Sequence, residues 1–230
     1  MFMVENWYLL QSGSGAAAFN MAFDEALLES AARLGRPALR FYGWSERAAS
    51  FGYSQKYAEL ARLTSLRPIV RRPTGGGLVP HDADWTYSLV FPATHWWYAA
   101  RATESYRRVH EWIHGAFARL GVATGLSLSC RKEAPAQCFV GAEQGDVLWH
   151  DKKIAGAAQR RNRQGLLIQG SVQPPPLGLA KADWQQAMCD AAVETWSVRW
   201  VSFEPDTVLN QRAEALLRGK YGRTDYNERR

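Results

Sequence analysis

The stretch RRPTGGGLVPHDADWTYS, residues 71 to 88, constrains this chain more than any other. Three consecutive glycines, Gly75, Gly76 and Gly77, stand between the pair Arg71 and Arg72 and the pair His81 and Asp82. The segment then runs into Thr86, Tyr87 and Ser88, β-branched and aromatic content that reads as a strand. At a strand-to-loop junction, adjacent glycines permit positive φ and let backbone N–H groups point into one concavity, which suits an anion or a flat acyl carbonyl. A tight turn or bulge uses the same residues. No Gly-Lys-Ser/Thr follows, so this is not a Walker loop, and the G-x-G-x-x-G spacing of a dinucleotide site is absent.

Around that stretch the periodicity predicts a helix over 16–34, with Phe19, Phe23, Ala26 and Leu27 at helical spacing and Gly35 as the stop. Strand-like runs follow at 38–44, 48–54, 68–72 and 86–91. A second helix is predicted over 102–120, with Tyr106, Val109, Ile113, Ala116, Phe117 and Leu120 on one face. Three successive strands at 146–150, 152–159 and 165–172 end at Pro174, Pro175 and Pro176, because proline removes ladder donors. Two helices near 180–194 and 205–218 close the domain. The order predicts an α+β fold, a mixed or antiparallel sheet with flanking helices on one side, without strict βαβ alternation. Residues 1–222 read as one catalytic domain and 223–230 as a frayed, disordered tail.

Composition narrows the partners. The 230 residues, 47% of them hydrophobic, suffice for one sizeable core. No run approaches the roughly 18 uninterrupted apolar residues of a membrane span, and MFMVENWYLL lacks a basic segment followed by an apolar one. The expectation is a cytoplasmic protein, monomeric by default, with no membrane partner. Cys130, Cys138 and Cys189 are irregularly spaced with no CxxC pair, which argues against a disulfide framework or a cysteine zinc site and leaves a free thiol for chemistry. The formal charge of +6 attracts acidic partners. The basic residues are scattered, with no block long enough for a nucleic-acid arm, so no nucleic-acid partner is expected.

RRPTGGGLVPHD followed by TYS resembles the Arg-Arg-x-Ser/Thr-Gly-Gly-x-x-x-x-His-Asp signature of the biotin/lipoate protein ligase superfamily. DVLWHDKKIAGAAQRRNRQGLLIQGS resembles the second signature of its lipoate branch, and FNMAFDEALLES and RFYGWSERAASFGYSQ resemble its opening helix and strands. The resemblance implies an α+β catalytic domain in which the glycine loop and the lysine strand wall a tunnel for an eight-carbon acyl chain. It also implies amide formation on one lysine of an acceptor domain.

Two chemistries run on that fold. A free carboxylate must first become an acyl-adenylate, which calls for ATP and magnesium, whereas a thioester is already activated and calls for no cofactor. Ligases of the lipoate-protein ligase A kind carry asparagine four residues after the motif histidine, and here that position is Trp85, which cannot coordinate a hard cation. Cysteine-dependent octanoyltransferases carry Thr-Tyr-Ser in the first signature and a Cys-Phe pair about fifteen residues before the signature lysine. Thr86-Tyr87-Ser88 and Cys138-Phe139, fifteen residues before Lys153, match them. Gly77 departs from that pattern, where transferases usually have arginine, as do Ala157, usually serine, and Gln169, usually histidine.

The transferase resemblance implies Cys138 as nucleophile toward an octanoyl-acyl-carrier-protein donor. Lys153 is implied beside it, its ammonium stabilising the thiolate and a developing oxyanion. Backbone N–H groups of Gly75, Gly76 and Gly77 are expected to add to that oxyanion site. Arg71 and Arg72 are candidates for a carboxylate or phosphate contact, with a salt-bridged strand end as the alternative. Thr74, His81 and Asp82 read as loop-shaping, while Asp146, Gly156, Ala157 and Gly170 join the acyl-binding set. The acceptor is expected to be a lipoyl-acceptor domain, the glycine-cleavage H protein or a 2-oxoacid dehydrogenase. A binder of such domains without catalysis is a third possibility. Cys130 and Cys189 read as unreactive.

HEWIH, residues 110 to 114, matches the H-E-x-x-H zinc motif. On the helical wheel, however, His110 and His114 flank the apolar stripe, Glu111 faces nearly opposite, and only Glu133 and Glu143 offer a downstream third ligand. The helix therefore reads as a packing element with both histidines at its solvent rim and no metal.

Overall fold

A computed structural model of the protein describes residues 4–130 and 138–229. Strand β1 (Glu5–Gly15) leads to helices α1 (Ala17–Glu29) and α2 (Ala31–Leu34), then β2 (Ala38–Trp44), β3 (Ala48–Phe51) and the single turn α3 (Tyr57–Leu60). Strands β4 (Ile69–Arg71), β5 (Val79–His81) and β6 (Trp85–Pro92) precede the short α4 (Trp96–Ala99) and the long α5 (Ala102–Arg119). Strands β7 (Gly125–Leu126), β8 (Val147–Trp149), β9 (Lys152–Asn162) and β10 (Gly165–Val172) follow, then α6 (Lys181–Trp196), β11 (Val198–Ser202), α7 (Thr207–Leu216), a π-helical turn over Leu217–Tyr221, and α8 (Thr224–Asn227).

Eight strands form one mixed sheet in the order β11-β1-β2-β6-β10-β9-β8-β7, and β4-β3-β5 form a separate small sheet. β1 runs parallel to both β2 and β11, whereas β6, β10 and β9 pair antiparallel. This is the α+β class the sequence predicts, with one correction: helices cover both faces. All eight residues of β10 are buried. Leu166 and Ile168 join the core under α5 and α6, while Leu167 joins the core under α1 and α7. An unbroken apolar run such as GLLI leaves neither face for water, so a second layer of helices is required.

Two further corrections concern helix ends. Ser30 divides the predicted 16–34 helix, its amide shared between the carbonyls of Ala26 and Leu27 at 3.0 and 3.2 Å; Gly35 then ends α2 at φ 65°. The tail predicted as frayed instead forms α8 and docks on β4, where Asn227 Oδ1 accepts the backbone N–H of Arg71 at 2.9 Å. The strands β1, β5 and β11 are not among those the sequence reading placed.

The β6–β10 register positions the site. Thr86 pairs with Ser171 and Ser88 with Gln169, so these polar side chains share the α1 face of the large sheet. Tyr87, one residue on, pairs with Gly170 on the opposite face, where a β-carbon at Gly170 would lie 2.1 Å from Tyr87 Cζ.

Candidate active site

A cleft with an empty volume of about 450 Å³, open solvent at its mouth included, lies between the α1 face of the large sheet and the small sheet. Met21, Tyr42, Trp44, Val79 and Phe139 give it apolar walls, and Cys138 and Lys153 both line it. Alternation along β9 presents Gly156 and Ala158 to the cleft, opposite Ser171 and Gln169 of β10.

The glycine loop closes on the sulfur. Cys138 is anchored by its own N–H to Leu78 O at 3.0 Å, and the Gly77 N–H donates to Cys138 Sγ at 2.9 Å. Gly76 has φ 88°, and a β-carbon there would stand 3.2 Å from Arg72 Nη2 and 3.6 Å from Cys138 Sγ. The left-handed φ and the Arg72 guanidinium are therefore what favour glycine at 76, whereas the thiol would be in ordinary contact. Gly75 is different, because a β-carbon there would meet nothing within 4 Å.

Arg72 sits behind the loop. Its Nη2 donates to Gly75 O and Gly77 O at 2.8 and 2.9 Å, and its Nη1 donates to Ser50 Oγ at 2.9 Å. Burial pulls its basicity below the usual arginine value, and the Cys138 sulfur opposes that through charge and hydrogen bonding. Ser50 Oγ lies 2.6 Å from His81 Nε2, and His81 Nδ1 lies 2.8 Å from Asp84 Oδ2. The same Asp84 oxygen accepts the hydroxyls of Thr86 and Ser171 at 2.9 and 2.7 Å. Burial pushes the Asp84 carboxyl upward, yet His81 and the two hydroxyls hold it below the ordinary carboxylate value.

Lys153 occupies the other side of the cleft as half of a buried ion pair. Its Nζ is 2.8 Å from Asp146 Oδ2, with the two side chains 6% and 0% exposed. Asp146 Oδ2 also accepts the Glu143 N–H at 2.6 Å, and Oδ1 accepts the Tyr106 hydroxyl. Burial, with Asp146 adding to it, pushes the Tyr106 phenol far up, so it stays a donor. A β-carbon at Gly156 would lie 2.6 Å from Lys153 Cε, so glycine there makes room for the ammonium. Lys153 Nζ is also 5.4 Å from the centroid of the Phe139 ring.

Gln169 bridges two polar groups behind the cleft, accepting the Thr74 hydroxyl at 2.8 Å and donating to Asp24 Oδ2 at 2.7 Å. Asp24 in turn pairs with Arg40 at 2.7 Å inside the core. Gln169, a departure from the family pattern, is therefore fully engaged in the structure.

The structure brings together Arg72, the glycine loop, His81, Cys138, Asp146, Lys153, Gly156, Ala157 and Gly170, but not Arg71. Arg71 is fully buried and its guanidinium donates to the carbonyls of Tyr53 and Gln55 at 2.8 and 2.7 Å and to those of Tyr226 and Asn227 at 3.2 and 3.0 Å. It is a clasp for the C-terminal segment and not a cleft-lining group for a carboxylate or phosphate. Asp82 is exposed and pairs with Arg47 at 3.4 Å, so the acid that meets His81 is Asp84. Trp85 points to the α6 side, its ring 5.4 Å from Trp184.

The placement of His110 at a solvent rim is corrected. His110 is completely buried, donating from Nδ1 to Tyr106 O at 2.8 Å, and burial drives its pKa down to about 4. His114 is half-buried against the Thr124 hydroxyl at 2.7 Å. Among the described residues no cluster of three His, Cys, Asp or Glu side chains suits a metal ion; Glu133 lies outside them. Cys189 is buried, its thiol pushed up to about 12 by burial with Asp190 adding, while Cys130 is exposed and donates to Glu143 at 3.1 Å.

The sequence reading missed Ser50 and Asp84. Ser50 sits two residues before Gly52, inside ASFGYSQ, and HDAD offers two acids of which only burial selects the second.

The model of the lipoyl protein ligase A/B catalytic domain matches residues 16–173. The protein named octanoyltransferase LipM of Bacillus subtilis (strain 168) is 34% identical over 182 residues, covering 73% of this chain and 65% of its own. The protein of that name from Kyrpidia tusciae is 36% identical, covering 74% of this chain and 66% of its own. The chain thus spans just under two thirds of the length of these curated relatives. A crystal structure of lipoate-protein ligase A bound with ATP superposes with a TM-score of 0.80 at 21% identity, covering 98% of this chain and 99% of that one. Among the described residues no helix is long and apolar enough to cross a membrane.

Proposed function

Because the chain belongs to the lipoyl protein ligase A/B catalytic-domain family, we propose that it is an octanoyltransferase that works through an acyl-enzyme on Cys138. The Cys138 thiolate attacks the carbonyl carbon of an octanoyl thioester on acyl-carrier protein. The new carbon–sulfur bond replaces the carrier's, and the carrier thiol departs with the proton that Cys138 gave up. The ε-amine of a lysine on a lipoyl-acceptor domain, of the glycine-cleavage H protein or a 2-oxoacid dehydrogenase, then attacks the acyl-cysteine. The amide forms, the carbon–sulfur bond breaks, and the amine's proton returns to the sulfur.

The observation that carries this reading is the Gly77 N–H on Cys138 Sγ at 2.9 Å in a cleft that Lys153 also lines. Asp146 fixes the position of the Lys153 ammonium and takes one of its three N–H donors, which leaves the others for the acyl carbonyl. Arg72 supplies a second positive charge beside the sulfur. The apolar walls, Met21 and Val79 among them, suit an alkyl chain. The relatives' names support the octanoyl donor. A thioester needs no nucleotide, so ATP, magnesium and other cofactors have no part in the proposed steps.

The test gives wild type and Cys138→Ser either octanoyl-acyl-carrier protein without ATP, or octanoate with ATP and magnesium, in the presence of an acceptor domain. Wild type gains one octanoyl mass from the first donor and passes it to the acceptor, and Cys138→Ser does neither. ATP-dependent product that survives the substitution overturns the reading in favour of a lipoate-protein ligase. Tight binding of an acceptor domain with no product from either donor overturns it in favour of a binder.

A further inference from the structure

We propose that Ser50 and His81, braced by Asp84, are positioning residues for this chemistry: they hold the Arg72 guanidinium in place while keeping its positive charge free for the cleft. The inference rests on the Cys138 reading above, but it is tested apart from it.

A guanidinium has donors only, so the 2.9 Å bond from Arg72 Nη1 to Ser50 uses a lone pair of the hydroxyl and leaves its hydrogen to give away. The receiver is His81 Nε2 at 2.6 Å. In this arrangement Nε2 accepts the hydroxyl and Nδ1 carries the proton that faces Asp84 Oδ2 at 2.8 Å. Trp44 stacks on the imidazole with centroids 3.8 Å apart and fixes the ring plane. Ser50, Arg72, His81 and Asp84 are all buried, so each bond is made in a low-dielectric setting.

The order of the links matters. A buried guanidinium usually sits on a carboxylate, which cancels its charge. Among the described residues no carboxylate ion-pairs with Arg72; it donates to Ser50 and to the carbonyls of Gly75 and Gly77, with the Cys138 sulfur beside it. Asp84, the acid at hand, is kept three hydrogen bonds away by two intervening side chains. Direct contact with Asp84 would hold Arg72 equally well but cancel the charge. With His81 and Ser50 interposed, the countercharge for Arg72 comes from the cleft itself, as the Cys138 thiolate or an oxyanion on the acyl group. The same guanidinium fixes the carbonyls of Gly75 and Gly77, and with them the Gly77 N–H that reaches the sulfur.

The experiment reads the rate at which iodoacetamide alkylates Cys138 at neutral pH, followed on the Cys138 peptide by mass spectrometry. Removing a hydrogen bond to a charged group predicts roughly tenfold slower alkylation in Ser50→Ala, with the fold checked by circular dichroism. Ser50→Thr, which keeps the hydroxyl, is expected within about threefold of wild type on the same basis. In transfer assays Ser50→Ala lowers kcat and leaves the KM for the thioester donor in place. Should Ser50→Ala fail to fold, His81→Phe keeps a ring against Trp44 without the acceptor nitrogen, and about fivefold slower alkylation is expected. Wild-type alkylation by a folded Ser50→Ala, or by His81→Phe, overturns the proposal, as does a Ser50→Thr protein as slow as Ser50→Ala. Alkylation needs no acyl substrate, so slowed variants of a protein that never takes up octanoyl remove the proposed function and leave this inference standing.

Discussion

Gly77 N–H and Cys138 Sγ face each other at 2.9 Å, so the glycine loop grips the sulfur itself. The sequence suggested an oxyanion cradle from all three glycines, whereas each glycine has its own reason. Gly76 is both left-handed and crowded, since its β-carbon would press on Arg72 and approach Cys138. Gly75 is neither. Gly76→Ala is therefore expected to cost about 1–2 kcal/mol in urea unfolding, the penalty of a left-handed non-glycine residue, and to slow octanoyl uptake at least roughly tenfold through displacement of Arg72. Gly75→Ala should leave both within about twofold. Equal effects of the two substitutions would contradict this assignment.

Gly156 and Gly170 make a second contrast. Alanine at 156 meets the far end of a flexible lysine, which can swing away at the loss of its 2.8 Å bond to Asp146. Alanine at 170 meets the rigid, buried Tyr87 ring. Gly156→Ala should therefore fold but transfer octanoyl at least about tenfold more slowly, with thermal melting read beside activity. Gly170→Ala should lose about 1–3 kcal/mol of stability to overpacking. A fully active Gly156→Ala protein would argue that Lys153 has no part in the chemistry.

Much of this architecture is legible from the chain because local pattern and tertiary role agree. The 38–44 strand coincides with β2, and the 102–120 helix with α5, since their apolar spacing matches the faces they bury. The elements that escape notice are those whose partners are remote. β1, ENWYLLQSGSG, carries polar and glycine residues and becomes a strand by pairing with β2 on one side and β11, some 190 residues away, on the other. Cys138 and Lys153 are legible as a pair from spacing and resemblance. Asp84 is not, because HDAD does not say which acid turns inward, and the Ser50 link exists only once β3 and β5 are side by side.

His110 gives the fold a pH dependence of known sign. Burial holds its pKa near about 4 in the folded protein, with Asp146 at 3.9 Å and the Tyr106 carbonyl only partly offsetting it. In the unfolded chain a histidine titrates near about 6.5. The folded state therefore binds fewer protons across that window. The stability His110 contributes is complete above about pH 6.5 and drains away as pH falls through 6.5 toward 4, by about 3 kcal/mol in total. Urea unfolding of wild type and His110→Gln at pH 7 and pH 4 checks it. The wild type should lose about 3 kcal/mol more than the variant; parallel losses would place the acid sensitivity in other groups.

Arg71 answers a different question from its neighbour Arg72. Phe51 pairs with Arg71 across the small sheet, and the guanidinium lies over the Phe51 ring at 4.6 Å before reaching the carbonyls of Tyr53, Gln55, Tyr226, Asn227 and Arg229. Asn227 completes the clasp, accepting the Arg71 N–H and donating to Tyr221 O at 2.8 Å and Arg223 O at 3.1 Å. Alanine at 71 removes a charged donor from several buried carbonyls at once, which should cost about 3 kcal/mol. The loss should be concentrated in α8, whose amides are expected to exchange with deuterium at least roughly tenfold faster. Octanoyl uptake by the folded fraction should change by less than about threefold, because Arg71 does not line the cleft. An Arg71→Ala protein with α8 as protected as before, but with uptake abolished, would move Arg71 from the clasp to the site.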